Sequence, residues 1–100
     1  MLHHIVMWKF AAEADGHSKE ENMARARAAL LALPAKIAEI RAFHVGRDLG
    51  LVPDTFDMCL ISEFDDADAF KRYTVHPEHK AVSALIGKVR EGRSVIDFSD

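Results

Sequence analysis

The order in which apolar segments alternate along the chain predicts an α+β domain, β-α-β-β-α-β, with one antiparallel four-stranded sheet and two helices on one face. Three observations carry this. Runs rich in β-branched and aromatic residues at 3–10, 40–49, 56–64 and 94–98 read as strands. Two stretches between them repeat apolar residues at helical spacing and open on capping residues. The first strand is apolar on both faces, which calls for cover on both sides of the sheet.

Length and composition bound the rest. One hundred residues make a single domain spanning 1–100, with 49% hydrophobic and 29% charged residues, as in an ordinary globular protein. A net charge of −3, from 13 basic residues scattered among 16 acidic ones, argues against a nucleic-acid partner. Cys59 is the only cysteine, so no intrachain disulfide forms; it is expected as a small core residue, and a reducing cytoplasm is the expected setting. The N-terminus shows no signal pattern, and no apolar run approaches the ~20 residues of a membrane span. The chain is therefore expected to be complete from its first residue, with no membrane partner.

In the first strand His4, Val6, Trp8 and Phe10 share one face and His3, Ile5, Met7 and Lys9 the other. Asp15-Gly16 makes a turn. Ser18-Lys19-Glu20-Glu21 fits a capping box, which starts a helix with Met23, Ala26, Leu30, Leu33 and Ile37 on its apolar side until Pro34 ends or kinks it. The second strand follows, then a loop over 48–55 containing Gly50 and Pro53, then the third strand with Phe56, Met58, Leu60, Ser62 and Phe64 on one face. Asp65-Asp66 starts a second helix, which either carboxylate can cap, and Ala67, Phe70 and Tyr73 or Thr74 form its apolar stripe. Phe64, Phe70 and Phe98 are expected in the core. Gly92 is expected to close the helical region before the last strand.

The stretch that bears chemistry runs from Tyr73 to Val82. On an unbroken helix Tyr73 and His79 would lie roughly 9 Å apart along the axis and about 120° apart around it. Pro77 lacks an N–H and forces His76 out of the helical region, so the chain turns there and can bring phenol and imidazole together. His79 shares a helix side with Val82, Ser83, Ile86 and Val89 or Arg90 and so faces the interior. Two readings stand side by side. The pair is an acid/base couple, or it satisfies itself or backbone groups freed by the proline. His76 serves the turn, capping the restarted helix or pointing to solvent. The His76-x-x-His79 spacing invites a metal, but Pro77 breaks the shared face and no cysteine or carboxylate cluster completes a site, so no metal is expected.

The element order is that of the ferredoxin-like split βαβ motif, which leaves one sheet face bare and so points to a homodimer packed sheet to sheet. The segments H-I-V-M-W-K-F, F-D-M-C-L-I-S-E-F, Y-T-V-H-P-E-H-K-A-V and V-I-D-F, in that order over nearly the whole chain, resemble the stress-responsive α/β-barrel (Dabb) family. The resemblance implies a dimeric α+β barrel. Most members have no established reaction; a plant polyketide cyclase among them closes a linear ketide by aldol condensation without a cofactor. That likeness places the catalytic pair on Tyr73 and His79, the binding residues on His4, Val6, Trp8 and Asp97, and implies no cofactor. In this scheme His79 takes a proton from the carbon beside a ketone, Tyr73 holds the carbonyl oxygen, and Asp97 orients His79. His4 has a second reading as a partly exposed strand residue. Helix alanines at 24, 26, 28 and 29 stand where the cyclase has bulkier side chains, and Trp8 fills space a long ketide would need, so the cyclase's substrate does not carry over. The functional expectation is a small pocket for an apolar carbonyl or aromatic compound; a non-catalytic stable dimer and a cofactor-independent monooxygenase are the alternatives.

Overall fold

The computed structural model describes all residues, Met1–Asp100. The chain runs β1 (Leu2–Phe10), β2 (Glu13–Ala14), β3 (His17–Ser18), α1 (Lys19–Leu31), β4 (Ala42–Arg47), β5 (Met58–Phe64), α2 (Ala67–Val75), α3 (Pro77–Val89) and β6 (Arg90–Ser99). The main sheet has the order β4-β5-β1-β6, antiparallel throughout. This is the predicted ferredoxin-like arrangement, with the second helix delivered in two pieces.

Local chemistry explains each boundary. Asp15 and Gly16 have φ of +52° and +77°, the two left-handed residues of a tight hairpin turn, so β2 and β3 pair as a miniature ribbon. Buried Asn22 fastens this ribbon to α1 by donating from Nδ2 to the Ala14 carbonyl at 3.0 Å. Ser18 and Glu21 form the reciprocal capping box, at 3.2 and 2.9 Å. α1 stops at Leu31, three residues before Pro34, yet Leu33 and Ile37 are each 1% exposed because turns carry them on over the core.

Gly92 does not close a helix. The chain leaves α3 at Arg90, whose backbone is extended while its N–H still reaches the Ile86 carbonyl, and pairing with β1 has already begun at Phe10–Arg90. Sheet pairing therefore ends the helix before a glycine is needed, and Gly92 lies within β6.

The strand faces separate as the alternation requires. His4, Val6, Trp8 and Phe10 of β1 and Met58, Leu60, Ser62 and Phe64 of β5 are all buried under the helices. Cys59 and Phe98, expected in the core, are on the other face. Cys59 is opposite Met7 and only partly covered, and Phe98 is opposite His3, stacked on its ring at 4.8 Å. One residue of displacement along a strand is enough to change sides.

Candidate active site

The proline break builds the site. Because Pro77 has no N–H, the Tyr73 carbonyl is met instead by the His76 N–H at 3.1 Å. The next carbonyl, that of Thr74, would accept from Glu78 in a continuous helix. The Glu78 N–H donates instead to Nδ1 of His76, which caps α3 at 3.1 Å. Thr74 is thus left with a free carbonyl, and Nδ1 of His79 donates to it at 3.1 Å. A carbonyl only accepts, so the proton sits on Nδ1 and Nε2 keeps its lone pair. The second of the two sequence readings, satisfaction of a freed backbone group, describes one nitrogen of His79 and leaves the other unengaged. His76 and His79 serve separate backbone groups and do not converge.

Tyr73 and His79 meet as rings, with centroids 4.4 Å apart and tilted by 47°, not through a hydrogen bond. Tyr73 is 1% exposed and its hydroxyl has no partner within the chain, yet no sealed polar side-chain atom goes unsatisfied. What little of Tyr73 remains accessible is therefore its hydroxyl, which opens on the cavity it lines. Burial pushes this phenol well above its usual range, so it stays a donor. His79 moves the other way. Burial lowers its pKa against the raising effect of the Thr74 contact, and His4, Arg93 and His76 lower it further. The imidazole is neutral at pH 7 and fit to act as a base.

Asp97 does not orient His79. It holds Nδ1 of His4, the residue directly opposite it in the β1–β6 register, and the orienting acceptor of His79 is the Thr74 carbonyl. Neighbouring strands bring opposed side chains to within a few ångströms. His4 itself is buried, at 6% exposure, against Phe70 at 4.8 Å, so it is not a partly exposed strand residue.

His4, Val6, Trp8, Tyr73 and His79 line one cavity of about 300 Å³, closed by Leu30, Leu60, Val82 and Ile86. Three more polar residues complete this lining, Ser83, Arg90 and Arg93, and of these only Arg93 escaped the sequence reading. Ser83 lies one helical turn beyond His79, on the side where helical spacing places it. Arg93 is opposite Trp8 in the strand register, a relation that appears only once β6 is known to begin at Arg90. A wider hollow of about 640 Å³ lies on the outer face under residues 48–56, lined by Met7, Leu49, Leu51, Val52 and Phe56. Its charged groups are committed, Arg47 to Glu20 and Asp48 to Gly50 and Thr55, so no free chemistry converges there.

Fold and cavity define a ferredoxin-like α+β domain with a small pocket, open to solvent at Ser83, Arg90 and Arg93, that holds a neutral, oriented histidine. Residues 2–100 match the Stress responsive A/B Barrel Domain, and the chain belongs to this family, Dabb. It is 35% identical over 86 residues to an uncharacterized protein of Streptomyces coelicolor, covering 85% of this chain and 86% of that one. A dimeric protein of unknown function and ferredoxin-like fold from Bacteroides fragilis superposes with a TM-score of 0.81 at 34% identity, over 99% of this chain and 95% of that one. A dimeric ferredoxin-like protein of unknown function from Thermobifida fusca gives 0.86 at 28% identity, over 99% and 90%.

Proposed function

We propose that the cavity binds a small carbonyl compound with a largely apolar body and removes a proton from the carbon beside the carbonyl. His79 Nε2 takes the proton and becomes imidazolium; the C–H electron pair moves into the enolate, whose oxygen receives a hydrogen bond from the Tyr73 hydroxyl. Return of the proton to the same or another carbon gives isomerisation. Attack of the enolate carbon on a second carbonyl gives cyclisation, with the proton returned to the new alkoxide. Neither route consumes an oxidant, so the chemistry asks for no cofactor. The observation that carries this reading is the Thr74 carbonyl fixing the His79 proton on Nδ1, in a residue that lines the cavity beside an unpartnered phenol. The test is deuterium exchange at the benzylic α-carbon of β-tetralone in heavy water, followed by NMR. Wild type should accelerate it and His79→Gln should not; no acceleration by the wild type would remove the proposal.

A non-catalytic role as a stable dimer competes, and its favouring observation is the same contact, since His79 ties α3 to the end of α2. On that reading His79→Gln costs about 1 kcal/mol of stability and alters nothing else.

The same chain is proposed to work as a homodimer. β6 is ten residues long with none buried, and Met7, Ile61, Ile96 and Phe98 leave the outer sheet face apolar and uncovered. The dimeric relatives support this. A lone, partly exposed cysteine fits a reducing cytoplasm as the working compartment.

A further inference from the structure

The geometry points to a ligand that carries a carboxylate, held by Arg90 and Arg93 in the lining of the cavity, which makes the substrate class a small oxo acid. The inference rests on the cavity being the ligand site. Of the chain's arginines, Arg25, Arg41, Arg47 and Arg72 each hold a carboxylate of the protein. Arg27, on α1, is exposed like Arg90 and Arg93 but is not in the lining of the cavity. Only Arg90 and Arg93 line the cavity, and neither forms an ion pair.

Carboxylates are not scarce in this chain, with 16 acidic residues against 13 basic ones, yet none is placed against this pair. Arg90 has an ordinary structural use, because a cation just beyond α3 offsets the negative end of its dipole. Arg93 has none. It lies in an edge strand opposite Trp8, and the carboxylate four residues on, Asp97, is committed to His4. A guanidinium presents a planar fork of donors that matches a carboxylate in two parallel hydrogen bonds.

The rest of the lining sets what the carboxylate is attached to. About 300 Å³ lies at the low end of small-molecule pockets, which run from ~300 to ~1,000 Å³, so the body is a single ring or a short chain. Trp8, Leu60 and Val82 give it apolar walls. A carboxylate neutralised by the arginines also removes the repulsion that would oppose an enolate forming beside it.

The experiment is isothermal titration of the full chain with phenylacetate, its uncharged counterpart phenylacetamide, and phenyl phosphate. Wild type, the Arg90→Gln/Arg93→Gln double variant and Arg27→Gln are compared. We expect phenylacetate to bind at least about tenfold more tightly than phenylacetamide, as charge-assisted bonds allow. That advantage should vanish in the double variant, survive in Arg27→Gln, and shrink with added salt, while phenylacetamide binding stays unchanged. Equal affinity for acid and amide, or an acid preference kept by the double variant, overturns the carboxylate assignment and leaves the cavity reading intact. Tighter binding of phenyl phosphate than of phenylacetate overturns it as well. No binding of any probe at millimolar concentration sinks both. Neither arginine has an ion-pair partner within the chain and Arg90 acts only on the α3 dipole, so the thermal midpoint of the double variant should fall by no more than a few degrees, which excludes unfolding as the cause.

Discussion

At the scale of single residues, Tyr73 separates chemistry from packing better than His79 does. Its hydroxyl contributes no hydrogen bond to the fold, while its ring packs between Phe64 at 4.8 Å and His79 at 4.4 Å. Tyr73→Phe should therefore leave the unfolding midpoint nearly unchanged and slow α-proton exchange by about 10²–10³-fold, the usual loss for one oxyanion donor. A variant with full exchange activity would assign Tyr73 to the core alone. His79 sets the pH dependence. Exchange needs its neutral form, so the rate should rise with pH through a midpoint below the ordinary histidine value and stay level above neutrality, because the Tyr73 proton is held far into the alkaline range. The same lowered pKa acts on stability. Below the unfolded histidine value of about 6.5 the unfolded chain takes up a proton that the folded chain refuses, so stability falls as pH drops and levels off beneath the folded value. Urea midpoints of wild type and His79→Gln between neutral and mildly acid pH check this; the variant should lose less over that window.

At the scale of elements, the junction of α2 and α3 does the positioning. Its parts act in sequence: Pro77 removes one donor, His76 diverts the next, and the Thr74 carbonyl falls to His79. Pro77→Ala restores an N–H at 77 and lets residue 76 return to the helical region, so α2 and α3 would tend to merge and Glu78 would compete for Thr74. The cost to global stability should be about 0.4–1 kcal/mol, mostly through a looser unfolded chain. Exchange activity should fall by more than that stability change accounts for, as measured by urea unfolding and the NMR assay together. Activity equal to wild type would show that the break does not position the base. The capping chemistry here was largely legible in the chain: Ser18-x-x-Glu21 caps where its spacing says it should, and the structure decides for Asp66 over Asp65 and for His76 as a cap rather than a solvent-facing residue. The miniature hairpin was less so, although Asp15-Gly16 is its strongest local signal, because strands of two residues leave no alternating pattern to find.

At the scale of the whole molecule, the unfinished part is the outer sheet face and β6. A strand with no buried residue contributes to folding chiefly through its ladder with β1 and the contacts of Asp97 with His4 and Phe98 with His3, while Val95, Ile96 and Phe98 stay 46%, 59% and 44% exposed. Apolar area returned to cover is worth roughly 25 cal/mol per Å², so a second copy of this face has a large incentive to associate. Ile96→Lys combined with Phe98→Glu should shift the mass in solution, measured by light scattering after size exclusion, from twice the chain mass to the chain mass. A wild-type monomer would remove the dimer proposal, and a variant that remains dimeric would move the interface to Leu49, Leu51 and Val52.

What the sequence determined by itself is everything that depends on neighbours a few residues apart. Alternation in β1 and β5 set which side chains are buried, helix spacing and caps set where α1 and α2 begin, and Pro77 set the break that gives Tyr73 and His79 a common pocket. What only the tertiary structure decided is which distant groups stand opposite one another. Register across β1 and β6 gave Asp97 to His4 rather than to His79, put Arg93 beside Trp8, and turned Phe98 outward. Strand register is a property of two segments nearly the length of the chain apart, and a shift of one residue exchanges the faces, so no local pattern in either segment contains it.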